Sequence, residues 1–209
     1  MCVLIMNEKT RTMNKKTIIT TLLALVAMAG QAQEIKMNEP SFSDYLPLLK
    51  AKGYMTYSFD TQCFSGKMAK PIVKEYVSGK EVGDLINFDI SMSLGEKLIV
   101  GFLPSENDST ANYIFQFPGG AFNASLMLRP IFNPSEPATS IYIYESRPFE
   151  LASPFKVGQF IPLVLYGSWW YDADSDVTRL CGEKFIKPDL SSDIIKYIPH
   201  FYVLGIRIK

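Results

Sequence analysis

Short segments in which apolar and polar residues alternate, tight turns rich in glycine and proline, and only two stretches of helical character predict an α+β chain that is mostly β. The expected architecture is an antiparallel sheet or sandwich of about nine strands with two short helices, because turns this short join antiparallel neighbours rather than parallel ones.

In chain order the first feature is a leader. Lys15 and Lys16 precede an apolar run from Ile18 to Ala29, and Gly30-Gln31-Ala32 then supplies small residues at both positions that signal peptidase reads before a cut after Ala32. Residues 1–32 are therefore expected to be a signal peptide, with Met13 as an alternative start, and residues 33–209 a single β-rich domain. The run is shorter than the roughly 20 residues that span a bilayer. No membrane span is expected after its removal, and the mature protein is expected in the periplasm, secreted or at the cell surface. Cys2, the only early cysteine, lies on the wrong side of the apolar run to carry a lipid anchor.

The 21 Lys and Arg balance the 21 Asp and Glu over the whole chain. The leader removes Lys9, Arg11, Lys15 and Lys16 but only one acid, Glu8, so the mature protein is slightly acidic. It carries no basic stripe, and nucleic acid is not an expected partner.

Ser41 to Lys52 reads as a helix, capped by Ser41 or Ser43 and ended at Gly53. Tyr54 to Phe59 alternates as a strand does, whereas Ile72 to Val77 fits either a strand or a helical turn. Ile86, Phe88, Ile90, Met92 and Leu94 alternate with polar residues and predict the clearest strand, turning at Gly95-Glu96 into Lys97 to Leu103. Asn112 to Phe117 and Phe122 to Leu128 are strands joined across Pro118-Gly119-Gly120. Pro130, Pro134 and Pro137 stiffen the loop before a strand at Thr139 to Tyr144. Phe160 to Tyr171 predicts a long central strand, with Pro162 near its start where a missing donor is tolerated. Val177 to Phe185 would be its hairpin partner. Asp189 to Ile198 reads as the second helix, closed by Pro199, and Phe201 to Lys209 as the last strand.

Two cysteines, Cys63 and Cys181, remain after leader removal. An even count in an oxidising compartment fits one disulfide, worth up to about 4–5 kcal/mol by loop-closure entropy. The alternative is a pair of buried free thiols.

Asp172, Asp174 and Asp176 supply oxygen ligands at positions 1, 3 and 5 of a calcium loop, with Glu183 at position 12. The segment resembles an EF-hand loop over these residues, but Val177 replaces the turn glycine and the flanks read as strands. Calcium is thus a candidate cofactor, and a solvated acidic turn is the alternative. Trp169, Trp170 and Tyr171 lie beside this loop, and adjacent strand residues face opposite ways. An exposed ring beside carboxylates is the chemistry of a sugar-binding surface, since rings stack on sugars and carboxylates accept from hydroxyls. The alternative is a strand packed on both faces.

Gln62-Cys63 followed by the distant His200 resembles the order of papain-like and transglutaminase-like nucleophile sites, without the long helix and the orienting Asn or Asp. Glu145 and Glu150 are the carboxylate pair considered for glycoside cleavage. Neither forms a complete catalytic constellation, so no catalytic residue is assigned.

The leader from Met13 to Gln33, the aromatic β-rich body and the size together resemble uncharacterised exported proteins of gut Bacteroidetes. That resemblance implies a cell-envelope setting and no defined activity. The expected role is a non-catalytic binding or structural module whose partner is a glycan or another envelope protein. The alternatives are a carbohydrate-binding module assisted by calcium and a hydrolase built on a carboxylate pair or a cysteine.

Overall fold

The computed structural model describes residues 36–86, 89–132, 134, 140–151, 154–179 and 181–209. The leader, residues 1–32, lies outside them. Residues 42–209 form one compact unit, which contains every helix and strand described below.

The helix α1 (Phe42–Ala51) forms where the sequence predicts, with Asp44 in its first turn and Lys50 in its last, each favourable to the helix dipole. Gly53, at φ +86°, ends it in the left-handed conformation, and its N–H donates to the Lys50 carbonyl. None of its residues is buried, and Phe42 and Leu48 remain 74% and 62% exposed.

Strands follow at β1 (Met55–Asp60), β2 (Met68–Val77), β3 (Lys80–Asp84), β4 (Met92–Ser93), β5 (Lys97–Leu103), β6 (Thr110–Phe117), β7 (Gly120–Met127), β8 (Tyr144–Pro148), β9 (Phe160–Ser168), β10 (Trp170–Asp172), β11 (Val177–Arg179) and β12 (His200–Ile208). They pair antiparallel into two main sheets, one ordered β1-β5-β6-β7, the other β3-β2-β12-β9-β8 with β4 on the flank of β2. The small ribbon β10-β11 is separate.

The two sheets face each other. Leu98, Val100, Phe102, Tyr113, Phe115 and Phe117 of the first sheet share one core with Val73, Leu163, Leu204, Ile206 and Ile208 of the second. Strands β9 and β12 are buried on both faces, because a second cluster covers their outer side: Phe149, Ile186, Ile194, Ile195 and Ile198 pack on Leu165, Phe201 and Val203. This cover explains why the central strands read as near-continuous apolar runs, as strands buried on both faces do.

The two prolines in the interior of strands, Pro71 and Pro162, sit where one flank is unpaired. Pro71 falls between the stretch of β2 paired with β4 and the stretch paired with β3. Pro162 lies before Val164, where pairing of β9 with β8 begins, and beside a register shift at Leu204/Gly205 of β12. There the backbones come so close that a Cβ on Gly205 would lie 2.2 Å from the Ile161 carbonyl oxygen.

The segment from Ile86 to Leu94, predicted as the clearest strand, pairs only at Met92–Ser93 among the described residues. Its ends are nevertheless anchored, Ile86 and Leu94 being buried while Ile90 is exposed. Apolar spacing at the described residues of this segment reports burial at its two ends, not a ladder. The strand predicted at Thr139 to Tyr144 begins at Tyr144 instead, with an isolated bridge between Ile141 and Ile131. The second helix is reduced to a four-residue 3₁₀ turn, Asp193–Lys196. Leu190 takes φ +60° and the Asp189 carboxylate accepts from the Ser191 N–H, a local turn that competes with helix.

Candidate functional site

The disulfide expected between Cys63 and Cys181 does not form; both are free and exposed thiols. Cys63 sits in the 3₁₀ turn Gln62–Phe64, beside Ile206 and Ile208, whereas Cys181 lies beside Trp170 and Tyr197, next to the start of β12. The nine residues of β12 separate these two ends by about 27 Å, far beyond the Cα separation of about 7 Å that a disulfide bridges. The same geometry keeps Cys63 from His200, the first residue of β12.

His200 belongs instead to a polar cluster at one end of the inter-sheet core. Its Nε2 lies 3.1 Å from Glu75 Oε1 and its Nδ1 is hydrogen-bonded to the Tyr144 hydroxyl. Glu75 in turn accepts from Arg129 Nη2 at 2.8 Å, and the Tyr202 hydroxyl donates to the Met127 carbonyl. These bonds tie the end of β7 to the inner face of the facing sheet. Burial pushes the His200 pKa below its ordinary value, against the opposing pull of Glu75.

The aromatic and acidic residues singled out in the sequence do come together. Trp169 follows β9 and is half-buried; Trp170 opens β10 and stacks on Tyr197, centroids 5.9 Å apart and planes 24° off parallel. Residues Asp172 to Val177 make the tip of the β10-β11 hairpin. Two of its three carboxylates already have partners: Asp172 Oδ2 lies 2.7 Å from Arg179 Nε, and Asp172 Oδ1 accepts from the Asp174 N–H. Asp176 Oδ1 accepts from the Tyr171 hydroxyl at 2.7 Å. Glu183 lies away from this turn, accepting from the Asp193 and Ile194 N–H groups at 3.1 and 3.2 Å and so capping the last 3₁₀ turn. Among the described residues no three His, Cys, Asp or Glu side chains are grouped so as to hold a metal. Trp170, Tyr171, Asp172, Asp174, Arg179 and Tyr197 line an open groove of about 440 Å³.

A second and larger cleft, about 690 Å³, was not legible in the sequence. It runs along β8, the edge strand that pairs only with β9 in the second sheet. Leu46, Leu49 and Lys50 of α1, Tyr54 just before β1, Met55 and Tyr57 of β1, and Gly182, Glu183 and Lys184 line the cleft. The Tyr57 hydroxyl bridges the two sheet edges, 3.0 Å from the Ser146 carbonyl and 2.8 Å from its Oγ. In the cleft lies Arg147, 7% exposed, whose Nη1 has no hydrogen-bond partner among the described residues. Glu145, considered for catalysis, lines this cleft and is half-exposed, while Glu150 lies beyond the end of β8.

A family model described as a domain of unknown function, DUF5041, matches residues 24–209. No curated protein and no solved structure matches the chain.

Proposed function

We propose that this chain, which belongs to the DUF5041 family, is an exported, non-catalytic binding module that takes a glycan in the groove at Trp170 and Tyr197. The observation that carries the reading is the Trp170–Tyr197 stack opening beside the Asp172–Arg179 pair. Tyr197 is 60% exposed, so its outer face is offered to solvent as a platform on which the C–H face of a sugar ring rests. Asp174 and Arg179 supply an acceptor and donors at the groove's rim for sugar hydroxyls. Since Asp172 is neutralised by Arg179, the reading does not call on calcium. Export is supported by the leader, Lys15 and Lys16 before the run Ile18–Ala29 and the small residues Gly30 and Ala32.

The test is calorimetric titration of the mature protein with soluble oligosaccharides, repeated on Tyr197→Ala. Tyr197 is exposed enough that its loss leaves the fold intact. At least a tenfold weaker affinity, about 1.4 kcal/mol, is expected for the variant. An unchanged affinity removes the groove from the account, and no binding to any oligosaccharide removes the glycan.

A further inference from the structure

We propose that the cleft along β8 is a second binding site, distinct from the Trp170 groove, and that it takes a small organic carboxylate with an apolar body on the Arg147 guanidinium.

Arg147 is an expensive residue to place where it is. A guanidinium taken out of water needs compensation from a close counter-charge or from hydrogen bonds to all its donors. Here its closest ion pair among the described residues is Glu145 Oε2 at 3.9 Å, and that carboxylate is itself 46% exposed, so water screens it. The other nearby acid, Glu183, is held by two backbone N–H groups. Nη1 is buried without a hydrogen-bond partner among the described residues. A buried cation so poorly answered from within the protein is one whose partner arrives from outside.

The surroundings define that partner. Lys50 and Lys184 stand in the same cleft as Arg147, against Glu145 and Glu183, which leaves an excess of positive charge. A carboxylate matches the planar fork of a guanidinium with two parallel hydrogen bonds, and such pairs are the strong ones. Leu46, Leu49, Tyr54 and Met55 give the apolar wall against which the rest of the ligand rests. The volume is within the range of sites that bury a metabolite-sized molecule. Part of that wall is α1, whose apolar side chains are exposed and none of whose residues is buried.

The test uses phenylbutyrate, which has both the charge and the apolar body, with its neutral amide and with acetate as controls. Titrations of the mature protein are followed by the Arg147 Nε–H resonance and by calorimetry. Phenylbutyrate is expected to shift that resonance and to bind at least tenfold more tightly than either control. Arg147→Met is expected to abolish that preference while raising the melting temperature of the unliganded protein, because an apolar side chain of similar length removes an uncompensated buried charge. Arg147→Lys keeps the charge without the fork and is expected to bind phenylbutyrate at an intermediate strength. The proposal is overturned if phenylbutyrate leaves the Arg147 resonance unmoved, if the amide binds as well, or if Arg147→Met lowers the melting temperature, which would make Arg147 a structural residue. None of these outcomes depends on whether oligosaccharides bind at Tyr197.

Discussion

His200 shows how one side chain joins packing to solution conditions. It is buried in the cluster with Glu75, Arg129 and Tyr144, and burial depresses its pKa, so the folded protein resists the proton that the unfolded chain accepts near pH 6.5. Burial alone would raise the Glu75 pKa, but hydrogen bonds from Arg129 and His200 outweigh it and leave the carboxyl below its ordinary value. Both shifts act in one direction: the stability they carry is whole above about pH 6.5, declines below it as unfolded His200 charges, and falls further as Glu75 protonates. Melting temperatures measured from pH 8 down to about pH 4 should be flat and then fall, and Glu75→Gln should lessen the more acidic part of the decline without removing it, since Glu81 and Glu183 are also held below the ordinary carboxylate value. Gly205 makes a steric argument at the same scale. A methyl group there meets the Ile161 carbonyl at 2.2 Å and the Phe160 ring at 2.6 Å. Gly205→Ala should cost about 1–3 kcal/mol or more through forced strand separation, readable as a lower denaturation midpoint.

Among the elements, what could be read from the sequence depended on whether a segment's neighbours are close in the chain. The β6-β7 hairpin was legible because Pro118 and Gly119 force the turn and the two strands pair from Phe117↔Gly120 outward. Helix α1 was legible from its capping residues and Gly53. The sequence misplaced the segment Ile86–Leu94 because its alternation mixes buried anchors, Ile86 and Leu94, with the exposed Ile90, and burial at the two ends does not require a ladder partner between them. It over-read Asp189–Ile198 because the covering role of that segment depends on three isoleucines, not on helix. Ile194 packs on the outer face of the second sheet and against Gly182, whose absent side chain makes room for it. Ile194→Ala should therefore cost about 2–5 kcal/mol, as for other large buried side chains. Chemical denaturation would detect it, and a cost under 1 kcal/mol would show that this cover is dispensable. The two binding sites divide the same way. Trp169 to Asp176 are chain neighbours on one hairpin, so their grouping was visible. The cleft around Arg147 draws on α1, β1, β8 and residues 182–184, and nothing about the tripeptide Ser146-Arg147-Pro148 signals that its cation is buried.

For the whole molecule, two sheets with a second cover on one of them give the central strands β9 and β12 a role in both cores. The fold is held by this burial and not by a cross-link. Reducing agent should leave the melting temperature unchanged, and both thiols should react with a maleimide in the native state at rates near those in the unfolded chain. A thiol protected until unfolding would contradict the exposure of Cys63 and Cys181.

The position of those thiols also sets the valence of the molecule toward its own kind. A protein with one exposed cysteine oxidises to a closed dimer and stops. Among the described residues each copy presents two, near opposite ends of β12, and in a chain without the leader and its Cys2 these two cannot satisfy each other. Mild oxidation at high concentration should therefore string copies head to tail, a ladder of multiples on a non-reducing gel, and Cys63→Ser should truncate that ladder at two.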